Sequence, residues 1–107
     1  MNSNHLVSLV ALRSLPFFRG LSDELLTDVS SVANMRRFGR NQSVVQAGDL
    51  ADNIYFILTG SLKVLVNDQD GREVIFTLLN QGELFGEMAL FEERPRSANV
   101  VATSAVD

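Results

Sequence analysis

Cysteine is absent from this chain of 107 residues, and histidine occurs once, as His5. Without cysteine the chain cannot form a disulfide, an iron–sulfur cluster, a thiolate zinc site or a cysteine nucleophile. A single histidine also argues against histidine-based metal sites and catalytic relays. We therefore expect no metal, no cofactor and no catalytic residue here. The same shortage argues against the metal-dependent enzymes built on β-rolls, such as dioxygenases and isomerases.

A surplus of positive charge is also missing. Thirteen Asp and Glu residues oppose nine Lys and Arg residues, which gives a formal net charge of −4. Surfaces that neutralise many phosphates of DNA or RNA carry an excess of basic residues instead. We therefore expect this chain not to contact nucleic acid by itself.

No apolar run is long enough to cross a membrane. The longest candidate, residues 6–18, contains Arg13 and Pro16, and a spanning helix needs about 20 predominantly apolar residues. No basic residue precedes this run and no small-residue cleavage pattern follows it, so it also lacks the features of a secretory signal. The missing cysteine and the missing export signal together predict a cytoplasmic protein.

The first third of the chain, up to about residue 35, has a helical pattern. The clearest helix is predicted over residues 23–33, with Ser22 as N-cap and acidic residues in the first turn. Leu21 and Leu26 occupy the two positions of a hydrophobic staple. A weaker helix is predicted over residues 4–14, and residues 16–20 predict a turn with two aromatic anchors.

From about residue 36 to residue 107 the apolar period changes to two, which predicts β-strands. One face of a strand here would carry Leu62, Val64 and Val66, and the opposite face would carry Lys63 and Asn67. Glycines separate these short strands at regular intervals, which is typical of an antiparallel sandwich or barrel. We therefore predict a mainly β fold, an antiparallel β-roll or jelly-roll barrel preceded by helices. The predicted strands are 35–38, 43–46, 54–58, 62–67, 73–79 and 98–102, with a hairpin connection at 68–71.

Residues 82–98 interrupt the strand pattern. Gly86 precedes residues 87–91, which suit one short helical turn. The start of a helix offers unpaired N–H groups and partial positive charge, and glycine lets a ligand approach the backbone closely. This segment therefore suits the binding of an anion.

The polar side chains of the same segment extend this interpretation. Arg96 can present a planar fork to two phosphate oxygens, and Ser97 can add a hydroxyl donor. An ionised Glu87 only accepts hydrogen bonds, so it suits the hydroxyls of a sugar rather than a phosphate. Donors for phosphate beside an acceptor for sugar predict a nucleotide pocket.

Arg96 and Glu87 also have plainer interpretations. Arg96 could be an exposed side chain paired with Glu92 or Glu93, because most surface charges are simply solvated. Glu87 could be only a carboxylate near a helix N-terminus.

The segment resembles the phosphate-binding cassette of cyclic nucleotide-binding domains. The residues that carry this resemblance are Phe85-Gly86-Glu87-Met88-Ala89-Leu90 and Pro95-Arg96-Ser97-Ala98. Further similarity lies in Pro16-Phe17-Phe18, Gly20-Leu21-Ser22, Gln46-Ala47-Gly48-Asp49, Tyr55-Phe56-Ile57 and Gly60-Ser61-Leu62-Lys63-Val64. The chain looks most like the domain of the catabolite activator type of bacterial transcription regulator.

The resemblance implies a cyclic nucleotide as ligand and assigns roles to matching residues. Glu87 would bind the ribose 2′-hydroxyl and Arg96 the cyclic phosphate. Ser97, rather than threonine, favours cAMP over cGMP by family habit. The phosphate would also contact Ser97 and the backbone of Gly86, Met88 and Ala89. The sugar and base would lie beside Met88 and Ala98. Weaker candidates for the pocket wall are Val64 and Leu79.

The resemblance also implies a domain organisation. Residues 1–107 would be one cyclic nucleotide-binding domain, with its helical part up to about 35 and its roll over about 36–107. In the family, a lid and dimer helix and a DNA-binding helix-turn-helix follow the roll. We therefore expect a fragment of a longer homodimeric regulator, which binds DNA only through that further domain and does not bind a membrane.

Three functions remain to be distinguished. The leading hypothesis is a non-catalytic cAMP sensor at the N-terminus of a transcription regulator. A structural or dimerisation module with no nucleotide is the first alternative. The regulatory domain of a cyclic nucleotide-responsive kinase or channel is the second.

Overall fold

The structure of the protein, a computed structural model, describes residues 7–50, 53–86, 96 and 98–107. Helices precede a set of antiparallel strands, as predicted. The elements are α1 (Leu9–Arg13), a 3-10 helix (Pro16–Phe18), α2 (Asp23–Val32), β1 (Ser43–Val45), β2 (Tyr55–Phe56), β3 (Ser61–Asn67), β4 (Glu73–Asn80), β5 (Leu84–Phe85) and β6 (Asn99–Ala102). Within these residues, no helix has the length and apolar character that crossing a bilayer requires.

Helix α2 follows the sequence prediction closely. The Ser22 hydroxyl accepts a hydrogen bond from the backbone N–H of Leu25 at 3.2 Å, which caps the first turn. Leu26 is fully buried, and Leu21 packs in the same apolar cluster, as a hydrophobic staple requires. The helix ends at Val32, one residue before the predicted end, because Ala33 has extended backbone angles.

The first helix is shorter than predicted. Val7 and Ser8 are not helical, and the Ser8 hydroxyl caps α1 by accepting a bond from the N–H of Ala11 at 3.0 Å. The predicted start at residue 4 lies outside the described residues, yet the cap places the helix start at Leu9. The predicted turn after it is a 3-10 helix in which Phe18 is buried but Phe17 is 63% exposed, so only one of its aromatic residues is a buried anchor.

The strands form two antiparallel sheets, which confirms the predicted mainly β fold. One sheet has four strands in the order β1-β6-β3-β4, and the other pairs β2 with β5. The β3–β4 hairpin turns at residues 68–71, as expected. There the Asp68 carboxylate accepts hydrogen bonds from the N–H groups of Asp70 at 2.9 Å and Arg72 at 2.8 Å.

Strand β4 lies at an edge of its sheet and contains a bulge. Val64 pairs with Thr77 and Leu65 with Ile75, so Phe76 is the extra residue of β4. Phe76 is 64% exposed.

The structure corrects two predicted strands and contains one that was not predicted. Residues 35–38 form no strand in the described structure, and Phe38 makes only an isolated bridge with Val106. The strand predicted over 54–58 is limited to Tyr55–Phe56, because it pairs with only two residues of β5. Strand β5 itself was not predicted, since two apolar residues between glycines show no periodicity.

Two apolar clusters form the core. One joins α1, the 3-10 helix and α2, with Phe56 and Leu58 packed against it. The other fills the roll between strands β1, β3 and β6, and Tyr55 and Phe85 pack against it. The two residues of β2 therefore contribute to opposite clusters.

Candidate functional site

Arg96 is tied through its backbone to the turn that follows β1. Its N–H donates to the carbonyl oxygen of Asp49 at 2.7 Å, and its own carbonyl accepts from the N–H of Gly48 at 2.8 Å. These paired bonds fix the point from which the side chain leaves the backbone.

The Arg96 side chain is buried and its guanidinium is bound by backbone oxygens. The residue is only 6% exposed, so the interpretation of Arg96 as a solvated surface charge is wrong. Its Nη1 donates to the carbonyl of Gly86 at 2.8 Å, and its Nη2 donates to the carbonyl of Asn53 at 2.6 Å. The guanidinium carbon lies 5.8 Å from the centre of the Tyr55 ring, within the range of a cation–π contact.

Gly86 is needed for this arrangement on two grounds. Its φ angle is +93°, a conformation that side-chain-bearing residues rarely adopt. A β-carbon at this position would also lie 2.3 Å from Nη1 of Arg96. Only glycine lets the guanidinium lie against the backbone here.

The charge of Arg96 has no carboxylate partner among the described residues. The ion pairs found there join Arg13 to Asp23, Arg37 to Asp107, and Lys63 to Glu73. Backbone carbonyls satisfy N–H donors but carry no net charge to balance a buried cation. An anionic ligand would supply the negative charge that the described residues do not provide.

The structure brings only some of the predicted site residues together. Gly86 and Arg96 are in direct contact. Ala98 is partly exposed and precedes β6, while Val64 and Leu79 pack against the roll cluster that also contacts Tyr55 and Phe85. The other predicted residues lie outside the described part of the chain: Glu87, Met88, Ala89 and Ser97.

The structure adds three residues that the sequence did not assign to the site. Asn53 and Tyr55 contact Arg96, and Phe85 stacks on Tyr55. The contribution of Asn53 is a backbone oxygen, which no side-chain pattern reveals. The Tyr55 and Phe85 rings stack with centroids 4.8 Å apart and planes 8° apart. Tyr55 is the one tyrosine of the chain. From the sequence alone, an aromatic residue in an apolar segment is expected to belong to the core rather than to a binding site.

Two other features of the molecule do not compete with this site. The described His, Asp and Glu residues form no group of three that could hold a metal ion. A cavity of about 410 Å³ lies between the helices and the roll, but most of its wall is apolar and neither Gly86 nor Arg96 lines it. An anionic phosphate would gain little from such a wall.

Comparison with known proteins gives a consistent result. The profile of the cyclic nucleotide-binding domain family matches residues 35–107. The cAMP-activated global transcriptional regulator Vfr of Pseudomonas aeruginosa is 39% identical over 98 residues, which cover 88% of this chain and 44% of that protein. The chain thus spans less than half the length of this relative.

Solved structures share the fold. A regulatory subunit of a cAMP-independent protein kinase A from Trypanosoma brucei, in a mutant form bound to cAMP, superimposes with a TM-score of 0.81. It is 26% identical, and the match covers 92% of this chain and 36% of that one. The N-terminal domain of a transcriptional regulator from Streptomyces coelicolor A3(2) is 31% identical with a TM-score of 0.73, covering 90% of this chain and 67% of that one. The strand arrangement, the buried arginine behind a glycine and the profile match all agree, and the chain belongs to the cyclic nucleotide-binding domain family.

Proposed function

We propose that this chain binds cAMP and serves as the sensor domain of a bacterial transcription regulator. One observation carries the proposal: Arg96 is a buried cation beside Gly86 with no ion-pair partner among the described residues. A cyclic phosphate carries the single negative charge that would balance it. The similarity to Vfr, a transcriptional regulator that is activated by cAMP, supports the choice of ligand.

Each proposed contact uses a specific chemistry. The N–H groups of Arg96 that do not bond carbonyls would bind the phosphate, together with Ser97 and the backbone of residues 86, 88 and 89. Glu87 would accept a bond from the ribose 2′-hydroxyl. Met88 and Ala98 would flank the sugar and base, with Val64 and Leu79 as the more distant wall.

The proposed role is to shift a conformational equilibrium without catalysis. Bound cAMP would favour the conformation in which the cassette closes on the phosphate, since a ligand stabilises the state that it binds better. In the whole protein, DNA binding and dimerisation would belong to parts beyond this chain. The regulatory domain of a kinase or channel would use the same site with a different output.

Calorimetric titration with cAMP and with cGMP tests the proposal. We expect the parent chain to bind cAMP, and Arg96→Ala to lose about 2–5 kcal/mol of binding free energy, the usual cost of removing one partner of a buried charged pair. Arg96→Lys should also weaken binding, because a point charge cannot reproduce the planar fork. Arg72→Ala, at an exposed arginine of the β3–β4 hairpin, is the matched control and should bind as the parent does.

The ribose contact has its own test. Glu87→Ala should reduce the preference for cAMP over its 2′-deoxy analogue, because no carboxylate would remain to accept a hydrogen bond from the 2′-hydroxyl. Competition titrations with both compounds measure the ratio of their two affinities. A ratio equal to that of the parent would show that Glu87 does not contact the ribose.

A second candidate function is a structural module that binds no nucleotide. The observation in its favour is that the guanidinium already joins two segments of the backbone, at Asn53 and Gly86. In that case neither cAMP nor cGMP would give heat or raise the melting temperature, while Arg96→Ala would still destabilise the fold.

A further inference from the structure

Tyr55 and Phe85 form an aromatic pair beside Arg96. They are direct partners in the β2–β5 ladder, where Tyr55 pairs with Phe85 and Phe56 with Leu84. Their rings are almost parallel, with an angle of 8° between planes and 4.8 Å between centroids. Both side chains also pack against the roll cluster. The Tyr55 ring is therefore held in one orientation by the ladder, by the stack and by the core.

Among the described residues, the contacts of the Arg96 guanidinium come from this same small sheet and the residues next to it. Asn53, which accepts from Nη2, stands two positions before Tyr55, and Gly86, which accepts from Nη1, directly follows Phe85. The Tyr55 ring supplies the third contact, at 5.8 Å from its centre to the guanidinium carbon. Two carbonyls set the positions of the nitrogens, and the ring limits the remaining rotation of the planar group.

An aromatic ring stabilises a cation without neutralising it. The electron-rich face attracts the guanidinium through its quadrupole, so the arginine keeps its full charge. A carboxylate at the same place would hold the arginine more strongly but would compete with an incoming phosphate. Neutral contacts therefore suit an arginine that must stay available to an anion.

We infer that Tyr55 is a positioning residue, which orients the Arg96 guanidinium for the phosphate through its ring face and not through its hydroxyl. The inference rests on the proposed function, because it concerns the same phosphate site. Phe85 supports Tyr55 through the nearly parallel stack of the two rings. The expected consequence is that the ring at position 55 affects phosphate binding only when Arg96 is present.

A set of variants tests this inference by calorimetry with cAMP. Tyr55→Phe keeps the ring and should bind within about twofold of the parent, whereas Tyr55→Leu should bind about 3- to 30-fold more weakly. The double variant Tyr55→Leu, Arg96→Ala should lose little more cAMP affinity than Arg96→Ala alone. This non-additivity is expected if Tyr55 acts through Arg96. Phe76→Leu, an exposed aromatic residue on β4, is the control for loss of a ring elsewhere and should bind normally.

A second measurement needs no nucleotide. The side-chain N–H resonances of Arg96 in the ligand-free protein should move in Tyr55→Leu, because the ring current and the fixed orientation are lost, and should be nearly unchanged in Tyr55→Phe. Equal loss of affinity from Tyr55→Leu with and without Arg96, or unchanged Arg96 resonances in Tyr55→Leu, would overturn the positioning role. If the parent binds neither cAMP nor cGMP, the proposed function is wrong, and the resonances alone still decide whether Tyr55 orients Arg96.

Discussion

At the scale of single residues, the site depends on a buried cation whose contacts with the described residues are all uncharged. Arg96 is held by two backbone carbonyls and one aromatic ring, and no described carboxylate pairs with it. Burying a charge without a counter-charge lowers stability. A bound phosphate would supply such a counter-charge, so the burial of Arg96 would strengthen phosphate binding.

Gly86→Ala is the sharpest residue-scale test of this geometry. A β-carbon would stand 2.3 Å from Nη1 of Arg96, so the guanidinium would have to move. We expect cAMP affinity to fall about tenfold or more, which corresponds to about 1.4 kcal/mol. Calorimetry on the purified variant measures the change.

Gly71→Ala is the matched control for that variant. Gly71 also has a positive φ of +81°, but a β-carbon there would meet no atom within 4 Å. Both variants should lose stability from backbone strain, by about 1–3 kcal/mol each. Equal cAMP affinity in the two would mean that the position of the guanidinium does not depend on Gly86.

At the scale of secondary structure elements, the long strands were visible in the sequence and the short ones were not. The predicted strands 62–67 and 73–79 differ from β3 and β4 by no more than one residue at either end. Both segments are rich in Val, Ile, Leu or Phe over their whole length and lie between turns that contain glycine, and these signals identify a strand in the sequence. Strands β2 and β5 contain two residues each, and their existence depends on pairing with each other across the fold.

The turn between β2 and β3 offers an element-scale prediction. Gly60 has a φ of +90°, and a β-carbon there would lie 2.3 Å from the backbone oxygen of Ala105. Gly60→Ala should therefore push the turn away from the backbone of Ala105. We expect the free energy of unfolding to fall by about 2 kcal/mol or more. Urea denaturation measures this loss. A loss no larger than that of Gly71→Ala would contradict the proposed backbone contact.

At the scale of the whole molecule, strand β2 connects two cores. Phe56 contacts Phe18 in the helical cluster with ring centroids 4.9 Å apart, and Phe17 at 5.4 Å. The neighbouring residue, Tyr55, faces Phe85 and Arg96 instead. Two adjacent residues of one strand therefore contact the arginine site and the helical cluster, respectively.

Ligand binding should stabilise the molecule as a whole. A ligand present at 100 times its Kd raises the free energy of unfolding by about 2.7 kcal/mol if it binds only the folded state. We expect cAMP to raise the melting temperature of the parent, and to raise that of Arg96→Ala much less at the same concentration. Thermal denaturation followed by circular dichroism measures both shifts. Adenosine, which lacks the phosphate, is the control, and a shift as large as that with cAMP would contradict a phosphate-based site.

The sequence alone determined that helices precede strands, that the fold is mainly β, and that Gly86 and Arg96 are candidate residues of an anion site, because these follow from local periodicity, capping and residue chemistry. The tertiary structure decided that Arg96 is buried, that Asn53 and Gly86 bind it through their carbonyls, and that Tyr55 lies against its charge. Those contacts join residues that are far apart along the chain. Their geometry arises from strand pairing and packing, which no local pattern of side chains specifies.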